Sequence, residues 1–303
     1  MAILSYVLTG ITSYIAVTVS LFGLSLKVPR AGFFARCLAS YACLIACASY
    51  GVVASFLLRL TGYGGLSQWT VARAFKWTMR LCTGSHFEIV SGAEYLKTRP
   101  AVFISNHQTE LDVLLLGASF PQYCSVTAKK SLSHVPVLGW FMTLSGTVFI
   151  DRANRETALK AFDGAAEHMR SERQSVFIFP EGTRSYSDQP ILLPFKKGAF
   201  HLAVKAGVDI VPIVAENYAH VLDVKKMRFE AGEIRVKVLP PISTKNLQSS
   251  DVDELTKKTR DSMLEVIQEM YKTRQARLVD SSSSSSATSI QMPAHASSTA
   301  IET

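Results

Sequence analysis

The chain has 303 residues, of which 48% are hydrophobic and 18% charged, with a formal net charge of +8 and a mean hydropathy of +0.18. Its five cysteines form no disulfide framework and, like the scattered histidines, have no metal-ligand spacing, so neither a disulfide scaffold nor a structural metal is expected. The composition agrees with a protein that works at a membrane, and the positive charge is assigned to an anionic bilayer surface rather than to nucleic acid.

No charged side chain occurs in residues 1–26 or 37–58. Each run is long enough to cross a hydrocarbon core of about 30 Å as a helix. The first lacks a positive leader and a small-residue cleavage site, which predicts a retained segment rather than a cleaved signal. A buried soluble hairpin is the alternative. The connection carries Lys27, Arg30 and Arg36, while the far side carries Arg59, Arg73, Lys76 and Arg80. Cations on both sides conflict under the positive-inside rule, and a re-entrant or half-inserted pair would relieve that conflict. Residues 66–81 then place Trp69, Ala72, Phe75 and Met79 near one helical stripe, beside a basic stripe of Arg73, Lys76 and Arg80. Two readings fit: a helix lying on the bilayer surface, or one packed on a domain core.

From residue 87 onward the pattern alternates. Apolar runs predict strands at 87–91, 101–105, 124–128, 147–151, 175–179, 209–214 and 234–239. Helical periodicity falls between them at 111–119, 137–145, 155–171 and 197–206, with a long helix at 251–277. The fold class predicted is α/β: a mixed, largely parallel sheet covered by helices and preceded by a hydrophobic helix pair. Residues 279–303, with six consecutive serines from Ser281, cannot bury a core and are expected to be disordered. The organisation expected is a membrane-embedded pair (1–60), a basic interfacial helix (61–85), a catalytic domain (86–278) and the serine-rich tail (279–303).

Three strand ends carry the chemistry. After 101–105 comes Asn106-His107-Gln108-Thr109-Glu110-Leu111-Asp112. A histidine at a helix N-terminus is held toward the neutral imidazole by the helix dipole, and so is usable as a base. His107 and Asp112 can meet only if the histidine lies in the turn before the helix and the aspartate in its first turns. The carboxylate then accepts from one ring nitrogen and aims the other at a substrate proton. Simple capping of the helix by Asn106 and His107 is the rival reading of this motif taken alone. The strand at 175–179 is followed by Pro180-Glu181-Gly182-Thr183-Arg184-Ser185. There Gly182 allows close backbone approach, and Thr183 and Arg184 offer a hydroxyl and a guanidinium fork suited to phosphate. The run Val148-Phe149-Ile150-Asp151 ends in Arg152. Ligands bind at the carboxyl ends of strands in open α/β sheets, so together these ends point to an anionic substrate.

In these blocks the chain resembles the glycerophospholipid acyltransferases, and most closely the lysophosphatidic acid acyltransferases. The match runs through NHQTELD, VFIDR, FPEGTRS and Val211-Pro212-Ile213-Val214, with a further likeness at Ala128-Lys129-Lys130-Ser131-Leu132, Pro136 and Gly139-Trp140. It spans roughly residues 66–245, and four ordered blocks are more specific than any one. Ser131 departs from the family, where an acidic residue is common. The resemblance implies that acyl-CoA is the donor substrate, with no bound cofactor, that the acceptor is lysophosphatidic acid, and that membrane phospholipid is a partner. His107 would be the base and Asp112 its orienter. Asn106, Lys129, Lys130, Arg152, Glu181, Gly182, Thr183 and Arg184 would contact substrate, with amides near Gly182 as candidate oxyanion donors. The expected setting is a membrane, the endoplasmic reticulum, with the catalytic face cytosolic. Glycerol-3-phosphate or another lysophospholipid stays open as acceptor, as does a non-catalytic lipid-binding role. A hydrolase would need a nucleophile elbow, and no G-x-S-x-G occurs.

Overall fold

The computed structural model describes residues 2–151 and 153–288, without the side chains of 155 and 279–288. In chain order the elements are α1 (Ala2–Ser25), α2 (Pro29–Leu60), α3 (Ser67–Thr83), β1 (Ser85–Ser91), β2 (Ala101–Ser105), α4 (Asp112–Ser119), β3 (Cys124–Lys129), α5 (Leu138–Leu144), β4 (Val148–Ile150), α6 (Arg155–Ser171), β5 (Ser175–Ile178), α7 (Gly198–Ala206), β6 (Asp209–Ala215), β7 (Leu222–Asp223), β8 (Arg228–Phe229), β9 (Gly232–Val238) and α8 (Val252–Thr288).

Seven strands form one sheet in the order β1-β9-β6-β2-β5-β3-β4. β6, β2, β5, β3 and β4 are mutually parallel, β9 runs antiparallel to β6, and β1 is parallel to β9. The central strands are unbroken apolar runs because both their faces are covered. In β2, Ala101 and Phe103 face a core with α3 and α4 residues Phe75, Met79, Leu114 and Leu115. Val102 and Ile104 face the opposite core, with Met169 of α6, Phe200 of α7 and Met263 and Ile267 of α8. The mixed α/β sheet expected from sequence is therefore present. The short β7–β8 hairpin escaped prediction because two-residue strands show no periodicity. α8 also continues past residue 277 into the serine run as far as Thr288. The rest of the expected disordered tail lies outside the described residues.

The N-terminal pair is asymmetric. α1 and α2 are both long and apolar enough to cross a membrane, yet α1 buries no residue. α2 carries Ala31, Ala35, Ala39, Cys43, Cys47, Gly51 and Ser55 at four-residue spacing, all buried. Small residues on one i, i+4 row let helix backbones approach closely, here against α3 and α5. The cations flanking the apolar run do not face lipid alone. Arg36 donates to the carbonyls of Thr83 (3.1 Å) and Phe229 (3.1 Å), and Arg59 donates to that of Leu144 (2.6 Å). Both halves of α2 are thus tied to the same globular body.

For residues 66–81, α3 packs on the core through Val71, Phe75 and Met79. Arg73, expected in a solvent-facing basic stripe, instead donates to the last carbonyls of α4, those of Gly117 (2.7 Å) and Ala118 (2.8 Å), and to Phe120 (3.1 Å). A cation there satisfies carbonyls that the helix leaves unpaired. Lys76, Trp77 and Arg80 lie on the outer side, with both cations over the Trp77 ring. A Cβ at Gly51 would stand 2.5 Å from the Phe141 ring, so Gly51→Leu must push α2 off α5. We expect a loss of about 1–3 kcal/mol, read as a lowered unfolding midpoint in detergent.

Candidate active site

The carboxyl ends of β2, β5 and β6 meet at one edge of the sheet, where three connections interlock. Just past Ser105, the Asn106 side chain donates to the Ala215 carbonyl (3.0 Å) and accepts from the Ala215 amide (2.9 Å). It extends the β2–β6 pairing by one residue. Expected on substrate, Asn106 is 1% exposed and spends its amide on the end of β6.

His107 lies in the turn and Asp112 opens α4, in the arrangement that their spacing required. The imidazole Nδ1 is 2.7 Å from Asp112 Oδ2. The same oxygen accepts the amides of Gln108 (2.6 Å) and Thr109 (3.1 Å), while Oδ1 accepts the Tyr218 phenol (2.6 Å). This carboxylate is 2% exposed, and its donors offset the cost of burying a charge. Binding Nδ1–H to a carboxylate leaves Nε2 as the basic nitrogen of the neutral ring. Phe179 stacks on the ring at 4.3 Å between centroids, limiting its rotation.

A second carboxylate holds the backbone. Glu181 Oε1 accepts the His107 amide (2.7 Å) and Oε2 the Leu193 amide (2.9 Å). Burial pushes its pKa up to about 7, against the lowering effect of those two bonds and of His107. The sequence left Glu181 either orienting the arginine or contacting the acceptor; here both of its oxygens accept main-chain amides. Ser185 and Tyr186 amides return to the His107 and Gln108 carbonyls (3.0 Å each), closing the β5 loop onto the β2 loop.

The remaining expected residues divide. Gly182 adopts φ +69° with the Lys196 side chain 2.8 Å from where a Cβ would lie. No other residue type fits that approach without moving the lysine. Its amide donates to the Phe179 carbonyl (3.1 Å), which removes it from the expected oxyanion donors. The Thr183 and Arg184 amides make no hydrogen bond among the described residues. Arg184 Nη1 meets Glu110 Oε1 (2.9 Å) and the Tyr186 phenol (3.3 Å), while its buried Nε has no partner there. Thr183 is exposed beside it. Lys129 ends β3 on the same sheet edge, and Lys130 lies 3.9 Å from Asp151. Arg152 lies outside the described residues. Sequence reading missed Tyr218 and Lys196. The lysine stands in Phe195-Lys196-Lys197, where nothing local set it apart from its neighbour, and nothing local marked the tyrosine.

A His–Asp pair, a guanidinium nitrogen and two loop amides without partners among the described residues thus gather at parallel strand ends. An acyltransferase family model matches residues 89–216. The chain is 44% identical over 227 residues to the 1-acyl-sn-glycerol-3-phosphate acyltransferase of Saccharomyces cerevisiae, covering 75% of each protein. It is 35% identical over 254 residues to the human beta enzyme of that name, covering 83% of this chain and 90% of that one. The crystal structure of the 1-acyl-sn-glycerophosphate (LPA) acyltransferase from Thermotoga maritima superposes with a TM-score of 0.60 at 22% identity, covering 86% of this chain and 97% of that one. The chain belongs to the 1-acyl-sn-glycerol-3-phosphate acyltransferase family.

Glu181 gives the site a measurable pH signature. Its folded pKa of about 7 lies above the ordinary 4.5, so the native state holds an extra proton between those values. Its contribution is fully present below the ordinary pKa and is lost as pH rises through the folded one, by up to about 1.4 kcal/mol per unit. Glu181→Gln is expected to flatten that slope in pH-dependent melting. It should also cut activity at least about tenfold, because an amide donor then faces a backbone N–H.

Proposed function

We propose that the protein moves an acyl group from acyl-CoA to the sn-2 hydroxyl of lysophosphatidic acid, forming phosphatidic acid. The observation that carries this reading is the 2.7 Å His107–Asp112 pair, with no nucleophile bonded to the ring among the described residues. A thioester is already activated, so a base alone suffices. His107 Nε2 takes the hydroxyl proton as the oxygen attacks the thioester carbonyl, and Asp112 stabilises the imidazolium. When the tetrahedral intermediate collapses, the C–S bond breaks and coenzyme A leaves as the thiol, taking the proton back from His107. The Thr183 and Arg184 amides are the candidate donors to the oxyanion. Arg184 Nε, Thr183, Lys129, Lys130 and Arg152 are the groups we assign to substrate phosphate, joined by Lys196. No cofactor is needed.

The acceptor and the product are both lipids, so the site must reach a membrane. α2 is about 48 Å long at 1.5 Å per residue, and its flanking arginines are both held by the catalytic domain. A helix so attached cannot stand across the bilayer without drawing the domain in with it. We therefore place α1 and the outer face of α2 in one leaflet, with Trp77, Lys76 and Arg80 at the headgroups. This half-inserted arrangement removes the positive-inside conflict. The endoplasmic reticulum with a cytosolic catalytic face is the setting that fits a phospholipid-synthesising enzyme of this kind.

The test is acyl transfer from labelled oleoyl-CoA to lysophosphatidic acid by membranes holding equal amounts of wild type and His107→Ala. Phosphatidic acid should form with wild type and fall about 10²–10⁴-fold in the variant. Preference for glycerol-3-phosphate or lysophosphatidylcholine would reassign the acceptor. Undiminished transfer by His107→Ala would remove the base.

A further inference from the structure

We propose that Tyr218 is a positioning residue of this site, its phenol holding the Asp112 carboxylate in the orientation that aims His107 at the acceptor. The inference rests on the acyl-transfer reading above, with His107 as base. Asp112 Oδ2 is crowded by three donors, His107 Nδ1 and the Gln108 and Thr109 amides. All three come from the turn that the carboxylate itself closes. Oδ1 has a single donor, the Tyr218 phenol at 2.6 Å. That bond alone ties the carboxylate to a second part of the fold, 106 residues away in sequence. The turn itself is held by Glu181 and by the Ser185 and Tyr186 amides, so what the phenol adds is the orientation of the carboxylate plane: without it, the group is held at Oδ2 alone.

The phenol is itself fixed. It accepts the Thr109 amide (3.0 Å) and lies 3.0 Å from the Thr109 hydroxyl, so its hydrogen is directed at Asp112. The Tyr218 ring meets Phe87 edge-on at 5.5 Å and is fully buried. The backbone that carries it is anchored on both sides. The Glu216 amide donates to the Arg235 carbonyl (3.0 Å), and Asn217 donates to the carbonyls of Ser187 (2.8 Å) and Gln189 (3.1 Å). Burial raises the phenol well above its ordinary range, so it stays a donor at every pH at which the enzyme works.

Removing only the oxygen tests this, because Tyr218→Phe keeps the ring on Phe87. We expect kcat to fall about ten- to a hundredfold with KM for both substrates within about twofold, since a lost hydrogen bond to a buried charge costs that much. The acid limb of the pH–rate profile should move to higher pH, because a carboxylate with one donor fewer binds the imidazolium more tightly. Charged or titratable groups around the pair include Glu181 and Arg184, both on the loop after β5, and Lys196 against Gly182, and none is changed by the substitution. Tyr218→3-fluorotyrosine, a stronger donor of nearly the same shape, should move the limb to lower pH. It also serves as the variant if the phenylalanine protein does not fold. In an Asp112→Ala background the further change Tyr218→Phe should cost less than about twofold. Unchanged kcat and pH profile in folded Tyr218→Phe would overturn the proposal. So would a full tenfold loss in the Asp112→Ala background. Failure of wild type to acylate lysophosphatidic acid would instead count against the functional reading on which the inference rests.

Discussion

A buried carboxylate, Asp112, is the group on which the site depends. Taking such a charge out of water costs several kcal/mol unless donors replace the solvent. Here the donors are a ring nitrogen, two backbone amides and a phenol. Satisfying the carboxylate therefore shapes the turn after β2, starts α4 and draws in the segment after β6. The same requirement sets the tautomer of His107. Glu181 does for the His107 backbone what Asp112 does for its ring. The histidine is held at two points by two carboxylates from different strand ends, which is what a pre-organised base requires.

The helices outside the sheet obey a second constraint, since one element carries two unlike faces. α2 exposes its large residues and packs its small ones against protein. Phe34, Tyr41, Ile45, Phe56 and Leu57 are exposed, while the alanine, cysteine and glycine row is buried. α3 lies between this helix and α4, and Arg73 joins it to the helix that Asp112 begins. The apolar N-terminal pair and the His107–Asp112 pair are thus connected through two helices.

Much of the fold was legible because its signals are local. β2 and β5 are short apolar runs whose burial on both faces leaves a plain mark in sequence. The His107–Asp112 contact was legible for a related reason: five residues across a strand–helix junction allow one geometry in which the two meet. Asn106 and Glu181 misled for the opposite reason. A polar residue inside a short motif looks the same whether its side chain turns to a ligand or to a backbone amide, and only the packed loops show which. Gly182 was marked for approach to a ligand; in the fold its φ of +69° brings it against the Lys196 side chain, and its amide bonds Phe179. Arg73 looked like a surface cation because the helix that supplies its carbonyl partners lies 44 residues further on.

Sequence by itself determined the α/β alternation, the apolar N-terminal pair, the meeting of His107 with Asp112 and the family to which the chain belongs. These depend on periodicity and spacing over a few residues, where chain connectivity alone restricts geometry. Tertiary structure decided that α2 lies along the domain and that Glu181 serves the backbone. It also decided that Tyr218 completes the shell of Asp112. Those contacts join residues tens to more than a hundred positions apart, and no local pattern constrains which buried donor meets which buried acceptor until the sheet has brought its strand ends together.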